Sequence, residues 1–175
     1  MKKAKHYKAL KDMLSYCKDT GVFTWIVKRK GTKGIYSEAG YVTPDGYRAI
    51  GITIEGKFAL IKAHRLAWFF VHGEIPKYID HINRNKLDNS ISNLRECTPL
   101  ENCRNRNISS NCKSGVRGVS WSKANKKWRA DISINKKHTF LGYFDTIDEA
   151  TERYKEMAIK THGEFYVDWK KEEEE

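Results

Sequence analysis

Apolar residues in the first half of the chain follow helical and strand spacings in turn. Steps of three and four predict a short N-terminal helix, with one apolar face formed by Tyr7, Leu10, Leu14 and Cys17. The stretches TGVFTW and YRAIGITIEGKFALIKA favour strands, and Glu55-Gly56 predicts a hairpin turn inside the second. The run HRLAWFFVHG predicts a buried helix that ends at Gly73, with its aromatic residues in the core.

The middle of the chain predicts a strand, a long loop, a second strand and a helix, in that order. YIDHI has the β-branched and aromatic flanks of a short strand, and the polar residues 83–93 after it predict a loop. LREC favours the second strand. TPLE predicts a helix start, because Thr98 can cap the helix, Pro99 suits its first position and Glu101 completes a capping box.

A polar segment separates this half from a C-terminal part with a different pattern. NRNISSNCKS, residues 105–114, lacks apolar periodicity and predicts a linker. RGVSWS, KWRADISI and HTFLGYF then alternate as three strands, with NKK as the hairpin loop between the second and third. A second capping box, from Thr146 to Glu149, predicts a helix that ends at Gly163. The chain is therefore predicted to be an α+β protein whose C-terminal part is a small three-stranded antiparallel sheet plus one helix.

The charge of the chain points to a polyanionic partner. Its 175 residues include 39% hydrophobic residues and carry a formal net charge of +11, so compact domains with basic surfaces are expected. Nucleic acid is the usual partner of so basic a protein. No membrane partner is predicted, because no run approaches roughly 20 apolar residues and the N-terminus lacks an apolar signal segment. The four cysteines contain no C-x-x-C pair, which favours reduced thiols in a cytoplasmic protein over a zinc site or a disulfide framework.

An Asp-His pair before the polar loop is the main chemical signal. Asp80 offers a carboxylate and Asn102 an amide oxygen, and both are ligands suited to Mg²⁺ or Mn²⁺. A neutral imidazole at His81 can take a proton from water near pH 7. Strand alternation sends Asp80 and His81 to opposite sides of the backbone unless the strand is distorted, and the following helix can bring Asn102 back beside Asp80. Taken singly, His81 is typical of a partly buried histidine, Asn93 of a turn and Asn102 of a solvated helix.

As an ordered set, these residues resemble the HNH endonucleases with a ββα-metal core, and most closely the phage homing type, whose third motif residue is Asn. The matching words are DH at Asp80-His81, ISNLR around Asn93 and PLENCRN around Asn102. The resemblance implies a ββα-metal HNH nuclease domain in which His81 is the general base and Asp80 and Asn102 bind the metal. It also implies that Asn93 pins the loop and helps to hold His81, and that Mg²⁺ is the cofactor, with Mn²⁺ as a substitute.

The C-terminal part resembles the plant ethylene-response-factor (APETALA-type) DNA-binding domain, which also occurs fused to HNH nucleases. The matching words are RGVSW, KWRADI and LGYFDT, followed by an acidic and alanine-containing helix. The resemblance implies that the sheet lies in the major groove. Alternation puts Arg129, Asp131 and Ser133 on its exposed face and Trp128 in the core, while Trp121 is balanced between core and DNA contact. The predicted DNA-binding residues are Arg117, Trp121, Lys127, Arg129, Ser133 and Lys137.

Together these patterns predict a metal-dependent HNH DNA endonuclease of the homing type. One active site cuts one strand of double-stranded DNA per event, so a monomer is expected to nick, and double-strand cleavage would need a dimer or a second binding event. A monomer or weak dimer is expected, in the host cell cytoplasm if the chain is phage-encoded. One alternative is a DNA-binding regulator whose nuclease half is inactive. Another is an RNA-binding protein, which predicts indifference to the side chains of Asp80 and His81.

The predicted domain organisation places the nuclease first. The His64-Arg65 pair at the start of the predicted buried helix either reaches a phosphate or caps the helix, and the sequence does not separate the two. The predicted divisions are a nuclease domain at 1–107, a linker at 108–114, an ethylene-response-factor-like domain at 115–169 and a charged tail at 170–175.

Overall fold

A computed structural model describes residues 2–28, 34–54, 56–105, 112–134 and 137–166. Within these ranges the chain is an α+β protein, as predicted, and it divides into two compact units, Met1–Pro99 and Leu100–Glu175. Most of the predicted linker and the charged tail lie outside the described residues, so the predicted domain boundaries stay predictions. No helix in the described ranges is long and apolar enough to cross a membrane.

The N-terminal helix is shorter than the apolar spacing predicts. Helix α1 spans Lys2–Lys11, and strand β1, Leu14–Tyr16, pairs antiparallel with β2, Phe23–Trp25. The prediction of one helix reaching Cys17 is therefore wrong beyond Lys11. Leu14 is buried in this strand, and the pairing with β2 supplies the hydrogen bonds of its backbone, so the strand satisfies both the apolar side chain and the main chain.

A three-stranded antiparallel sheet follows. Its strands are β3, Tyr41–Val42, β4, Arg48–Ile54, and β5, Lys57–Lys62, in that spatial order. The predicted hairpin is confirmed, because β4 and β5 pair antiparallel from Ala49 and Lys62 to Ile54 and Lys57; Glu55 of its predicted turn lies outside the described residues. Ile50 and Ile52 are fully buried, as expected for alternate residues on the inner face of a half-buried sheet.

Helix α2 covers the inner face of this three-stranded sheet. It spans Ala63–His72 and begins directly after β5. Gly73 ends it, with a φ of 78° and a backbone N–H that donates to the carbonyl of Phe69, so the predicted end is confirmed. The buried core of the unit includes Tyr7, Leu10, Leu14, Phe23, Trp25, Ile50, Ile52, Leu66 and Ala67.

The predicted order of strand, loop, strand and helix is confirmed in the middle of the chain. Strand β6, Ile79–His81, pairs antiparallel with β7, Leu94–Glu96, and Asp80 lies opposite Arg95. A polar loop joins the two strands and closes with a single 3₁₀ turn. Helix α3 then spans Pro99–Arg104, where the first unit gives way to the second.

The β1–β2 hairpin supports the loop between β6 and β7. The hydroxyl of Tyr16 donates to the carbonyl of Asn89 at 2.8 Å, and the N–H of Ile91 donates to the carbonyl of Lys18 at 2.9 Å. Gly21 has a φ of 73°, and a Cβ there would lie 2.3 Å from the carbonyl carbon of Asn89. The hairpin and the loop therefore touch so closely that only glycine fits at this position.

The second unit contains the predicted three-stranded antiparallel sheet. Strand β9, Lys127–Ile134, lies between β8, Val119–Ser122, and β10, Lys137–Phe144. Ala130 and Ile132 are buried, whereas their neighbours on β9 are more exposed, so the alternation is that expected for a sheet with one covered face.

One helix covers this sheet, as predicted. Helix α4 spans Ile147–His162 and opens with the predicted capping box, in which the hydroxyl of Thr146 accepts from the N–H of Glu149 and the Glu149 carboxylate accepts from the N–H of Thr146. Gly118, with a φ of 71°, fits beneath the helix, since a Cβ there would lie 2.3 Å from the ring of Tyr154. The core consists of Val119, Ala130, Ile132, Ala150, Tyr154 and Ala158.

Candidate active site and DNA-binding surface

The Asp-His pair lies on strand β6 in the first unit, and both residues are buried. Asp80 is 6% exposed and His81 is 5% exposed. Ionisable side chains are rarely so buried unless they are paired, so each needs a specific partner. The two partners come from different places, one from the neighbouring strand and one from the loop.

Asp80 is paired with Arg95 across the β6–β7 ladder. The Nε and Nη2 atoms of Arg95 both donate to Oδ2 of Asp80, at 3.0 and 2.8 Å. Sequence reasoning missed Arg95, because the ion pair depends on the register that sets these two residues opposite each other. The sequence signal that could have indicated this pair is the charged residue within the predicted strand LREC.

His81 lies in a group of rings and next to Asn89. Its Nε2 is 3.4 Å from Oδ1 of Asn89, and its ring centroid is 5.1 Å from that of His64 and 6.0 Å from that of Tyr47. Burial lowers the pKa of His81, against the opposing effects of Asn89 and Asp80, so the imidazole is neutral near pH 7. Asn89 lies within the polar stretch 83–93, from which the sequence predicts only a loop, and the structure places its side chain against His81.

His64 is a second enclosed histidine beside His81. Burial, followed by the neighbouring His81 and then the charges of Arg65 and Lys62, lowers the pKa of His64 to about 3. Its Nδ1 is buried and has no hydrogen-bond partner among the residues that the structure describes. The sequence left His64 open between contacting a phosphate and capping the helix. The N-cap position of α2 is Lys62, whose side chain makes no cap bond, and the His64 ring lies against that of His81.

Asn93, at the end of the polar loop, is bonded to the start and the middle of the loop. Its Oδ1 accepts from the N–H of Asn83 at 2.9 Å, and its Nδ2 donates to the carbonyl of Asp88 at 2.8 Å. Asp88 in turn accepts bonds from Ser90, which tightens the same turn. These contacts are the ones that the predicted loop-pinning role needs, and the role itself stays a prediction.

The remaining predicted metal ligand lies at the start of the second unit. Asn102 is half-buried in α3, and its role as a ligand stays a prediction. Within the described parts of the chain, no group of three or more His, Cys, Asp or Glu side chains could hold a metal ion. The predicted donors are one carboxylate and one amide, and such oxygens fit Mg²⁺, which usually keeps several waters and binds few protein ligands. Both described bonds from Arg95 end on the same oxygen of Asp80.

A β-bulge shapes the outer face of the second unit's sheet. Phe140 pairs with Asp131 and Gly142 with Ala130, so Leu141 is the extra residue. Without the bulge, Phe140 and Tyr143 would point to opposite faces.

With the bulge, two aromatic residues share the outer face. Phe140 and Tyr143 are 51% and 41% exposed, with ring centroids 5.0 Å apart. The guanidinium of Arg129 lies 5.4 Å from the Phe140 ring and bonds twice to Asp131, at 2.7 and 2.8 Å. Sequence reasoning missed both aromatics, although a glycine inside a predicted strand is a known sign of a bulge.

The other predicted DNA-binding residues occupy several positions on the second unit. Ser133 and Lys137 are exposed, and Lys127 forms a 2.9 Å ion pair with Asp145. Trp121 lies opposite Trp128, on the face of the sheet that α4 covers, although it remains half-exposed. Alternation therefore places Trp121 at the margin of the core rather than on the outer face.

Arg117 lies just before the sheet and is half-buried. One of its terminal nitrogens is 3.4 Å from the carbonyl of Cys103, to which it donates a hydrogen bond. Its predicted contact with DNA stays a prediction.

The sequence of the chain is similar to those of several known proteins. Residues 62–104, which contain all four predicted active-site residues, match the model of a family described as HNH endonuclease. Protein 3.8 of Escherichia phage T7 is 35% identical over 107 residues, which cover 59% of this chain and 87% of that protein. An uncharacterized HNH endonuclease of Acanthamoeba polyphaga mimivirus is 31% identical over 150 residues, which cover 82% of this chain and 78% of that relative. The chain belongs to the HNH endonuclease family.

Further similarities extend to shorter regions and to a solved structure. A putative HNH homing endonuclease from the SPbeta prophage of Bacillus subtilis is 42% identical to this endonuclease over 66 residues, covering 35% of this chain and 38% of that relative. The solved structure of the HNH homing endonuclease I-HmuI matches with a TM-score of 0.42 and 22% identity, covering 85% of this chain and 84% of that chain. The prediction that the chain is an HNH endonuclease is confirmed.

Proposed function

We propose that this endonuclease hydrolyses a phosphodiester bond in duplex DNA, as an HNH enzyme of the homing type with His81 as its general base. The observation that carries the proposal is the enclosed Asp80-His81 pair on β6, within a chain that belongs to the HNH endonucleases. A buried carboxylate beside a buried imidazole is costly to maintain, and a hydrolytic site gives both groups a use.

The chain's own residues supply the base and its orientation. In the tautomer whose Nε2–H donates to Asn89, Nδ1 of His81 is the acceptor and takes a proton from the attacking water. Asn93 fixes the loop that carries Asn89, through its bonds to the backbone at Asn83 and Asp88. Arg95 holds the carboxylate of Asp80 in one orientation.

The cofactor in this proposal is a divalent cation, Mg²⁺ or in its place Mn²⁺. Asp80 and Asn102 would hold it through one carboxylate and one amide oxygen. When bound, the cation supplies positive charge that stabilises the phosphate and the leaving oxygen.

The second unit anchors the enzyme on the duplex in this proposal, as an ethylene-response-factor-like domain. The sheet's outer face supports this role, because it presents Arg129, Phe140 and Tyr143 together. An antiparallel sheet can enter the major groove and contact base edges, including the thymine methyl group. One active site then cuts one strand, so the enzyme nicks its target as a monomer, and a weak dimer or a second binding event would be needed to cut both strands. Phage, viral and prophage relatives support action in a host cell's cytoplasm.

A supercoiled-plasmid assay tests the proposal. The wild type, His81→Ala and Asp80→Ala are each incubated with Mg²⁺, Mn²⁺ or EDTA, on plasmids that carry many candidate sites. Metal-dependent conversion to open circles by the wild type, lost in both variants, is the expected result. Cleavage that survives both substitutions would refute the assigned site. Tight duplex binding without any cleavage would instead favour the DNA-binding regulator.

A further inference from the structure

Two lysine side chains contact the ring of Tyr47 beside the candidate active site. The Nζ atom of Lys62 lies 3.7 Å from the ring centroid, and that of Lys86 lies 4.8 Å from it. Lys62 also forms a 2.6 Å ion pair with Asp45, and Lys86 donates to the backbone carbonyl of Asp45 at 2.9 Å. These four residues, Asp45, Tyr47, Lys62 and Lys86, are called the Tyr47 cluster below.

The Tyr47 cluster is assembled from three separate parts of the first unit. Tyr47 and Asp45 belong to the turn between β3 and β4, which Thr43 closes with two bonds to the carbonyl of Tyr47, at 2.8 and 2.7 Å. Lys62 ends β5, and Lys86 belongs to the loop after β6. Ordering a lysine side chain costs up to about 2 kcal/mol of rotamer entropy. Two lysines that are already ordered against one ring therefore reduce the cost of binding an anion there.

The ring of Tyr47 connects this cluster to His81. Its centroid is 5.2 Å from that of His64 and 6.0 Å from that of His81. His64 and His81 are also in ring contact with each other. The three rings thus form one continuous group, and both lysine nitrogens lie at its Tyr47 end.

The Tyr47 cluster carries a net positive charge and is accessible to solvent. Two ammonium groups meet one carboxylate, and the hydrogen bond from Lys62 lowers the pKa of Asp45 to about 2, which keeps that carboxylate ionised. Each ammonium has three donor hydrogens, and the bonds described above use one on each lysine. The side chain of Lys62 is 39% exposed and Lys86 is exposed, so both ammonium groups can donate to an anion that arrives from solvent.

We propose that Lys62 and Lys86 form a phosphate-binding site that holds a backbone phosphate of DNA next to the bond attacked at His81. This site rests on the proposed function, because it takes its ligand to be part of the DNA substrate. Asp45 and Tyr47 are positioning residues, since Asp45 binds both ammonium groups and Tyr47 presents the ring face on which they lie.

The test measures how salt weakens DNA binding. Affinity for the plasmid is measured in EDTA over a series of NaCl concentrations, for the wild type, Lys62→Met and Lys86→Met. Each lysine that neutralises a phosphate contributes about 0.9 to the slope of log affinity against log salt. We expect each variant to lose about 0.9 from the slope, and to nick the plasmid at least about tenfold more slowly, because a misplaced phosphate misaligns the attack.

Three matched variants separate phosphate binding from a structural role. Lys57→Met removes an exposed lysine from the opposite end of β5, and it should leave both the slope and the nicking rate as in the wild type. Asp45→Asn breaks the ion pair but keeps both ammonium groups, so the slope should not fall. Lys62→Arg keeps the positive charge and should restore most of the slope.

The outcomes distinguish this site from the proposed function. If Lys62→Met and Lys86→Met match Lys57→Met in slope, the phosphate site is overturned. A reduced slope with an unchanged nicking rate also overturns it, because the phosphate would then lie away from the bond that is cut. If the wild type cuts no DNA under any condition, the proposed function fails, while the slopes in EDTA still decide whether the two lysines bind backbone phosphate.

Discussion

Removing one partner of the Asp80–Arg95 ion pair is expected to destabilise the first unit at least as much as replacing both. The pair joins β6 to β7, and the side chains of Arg95 and Asp80 are only 12% and 8% exposed. Arg95→Met leaves the carboxylate enclosed without its guanidinium, and Asp80→Val leaves the guanidinium enclosed without its carboxylate. The double variant replaces both charges with apolar side chains that suit a buried strand pair.

The magnitude follows from the burial of both groups. Breaking a fully buried pair by removing one partner costs about 3–5 kcal/mol, whereas replacing the whole pair with apolar residues is often nearly neutral. Because each side chain here keeps some exposure, we expect about 2–3 kcal/mol for each single variant. The double variant should lose no more than the worse single one, which gives a coupling free energy of at least about 2–3 kcal/mol.

Urea unfolding in EDTA measures this coupling without a bound cation. With an m-value of about 2 kcal/mol per M, each single substitution should lower the midpoint by about 1–1.5 M. The more exposed Arg48–Glu38 pair is the control, and the same cycle there should give a coupling below about 1 kcal/mol. If the two single losses at Asp80 and Arg95 simply add in the double variant, the reasoning about their mutual compensation is refuted.

Three further substitutions test other parts of the structure. Asn93→Ala leaves two loop backbone groups without their bonds, so it should cost about 2 kcal/mol in urea unfolding and slow plasmid cleavage; unchanged values for both would contradict the anchoring described above. Gly118→Ala should destabilise the second unit by more than about 2 kcal/mol, and Gly115→Ala, with open space around its Cβ, by less; equal losses in thermal unfolding would disprove the close packing at Gly118. Phe140→Ser should weaken duplex binding about tenfold, while Ile159→Ser, at an equally exposed position on α4, should not. A gel-shift titration in which both variants behave alike would show that the outer face of the sheet does not bind DNA.

Much of the fold could be predicted because it depends on local rules. The alternation along β9 and the capping box at Thr146 need only neighbouring residues to be recognised. The strand at Leu14 could not be predicted in this way. Its apolar residues suit a helical face equally well, and the strand forms because this segment pairs with the following strand, β2, which residue types alone do not reveal. The bulge at Leu141 likewise depends on the register between β9 and β10.

The candidate site shows the same division. Asp80, His81 and Asn93 could be singled out because they form an ordered set along the chain. Arg95 and Asn89 contact that set through strand register and loop conformation, which residue types do not reveal. The Lys62 and Lys86 contacts with one ring were missed for the same reason, since the three segments involved meet only in the folded unit.

The contact between the β1–β2 hairpin and the active-site loop limits how this nuclease can be shortened. A minimal cutting module taken as residues 62–104 alone would keep the Asp-His pair and discard Tyr16, Lys18 and Gly21. The loop that carries Asn89 would then lose its outer support, and with it the side chain next to His81. A fusion of this catalytic part to another targeting domain should therefore retain the β1–β2 hairpin together with the active-site loop.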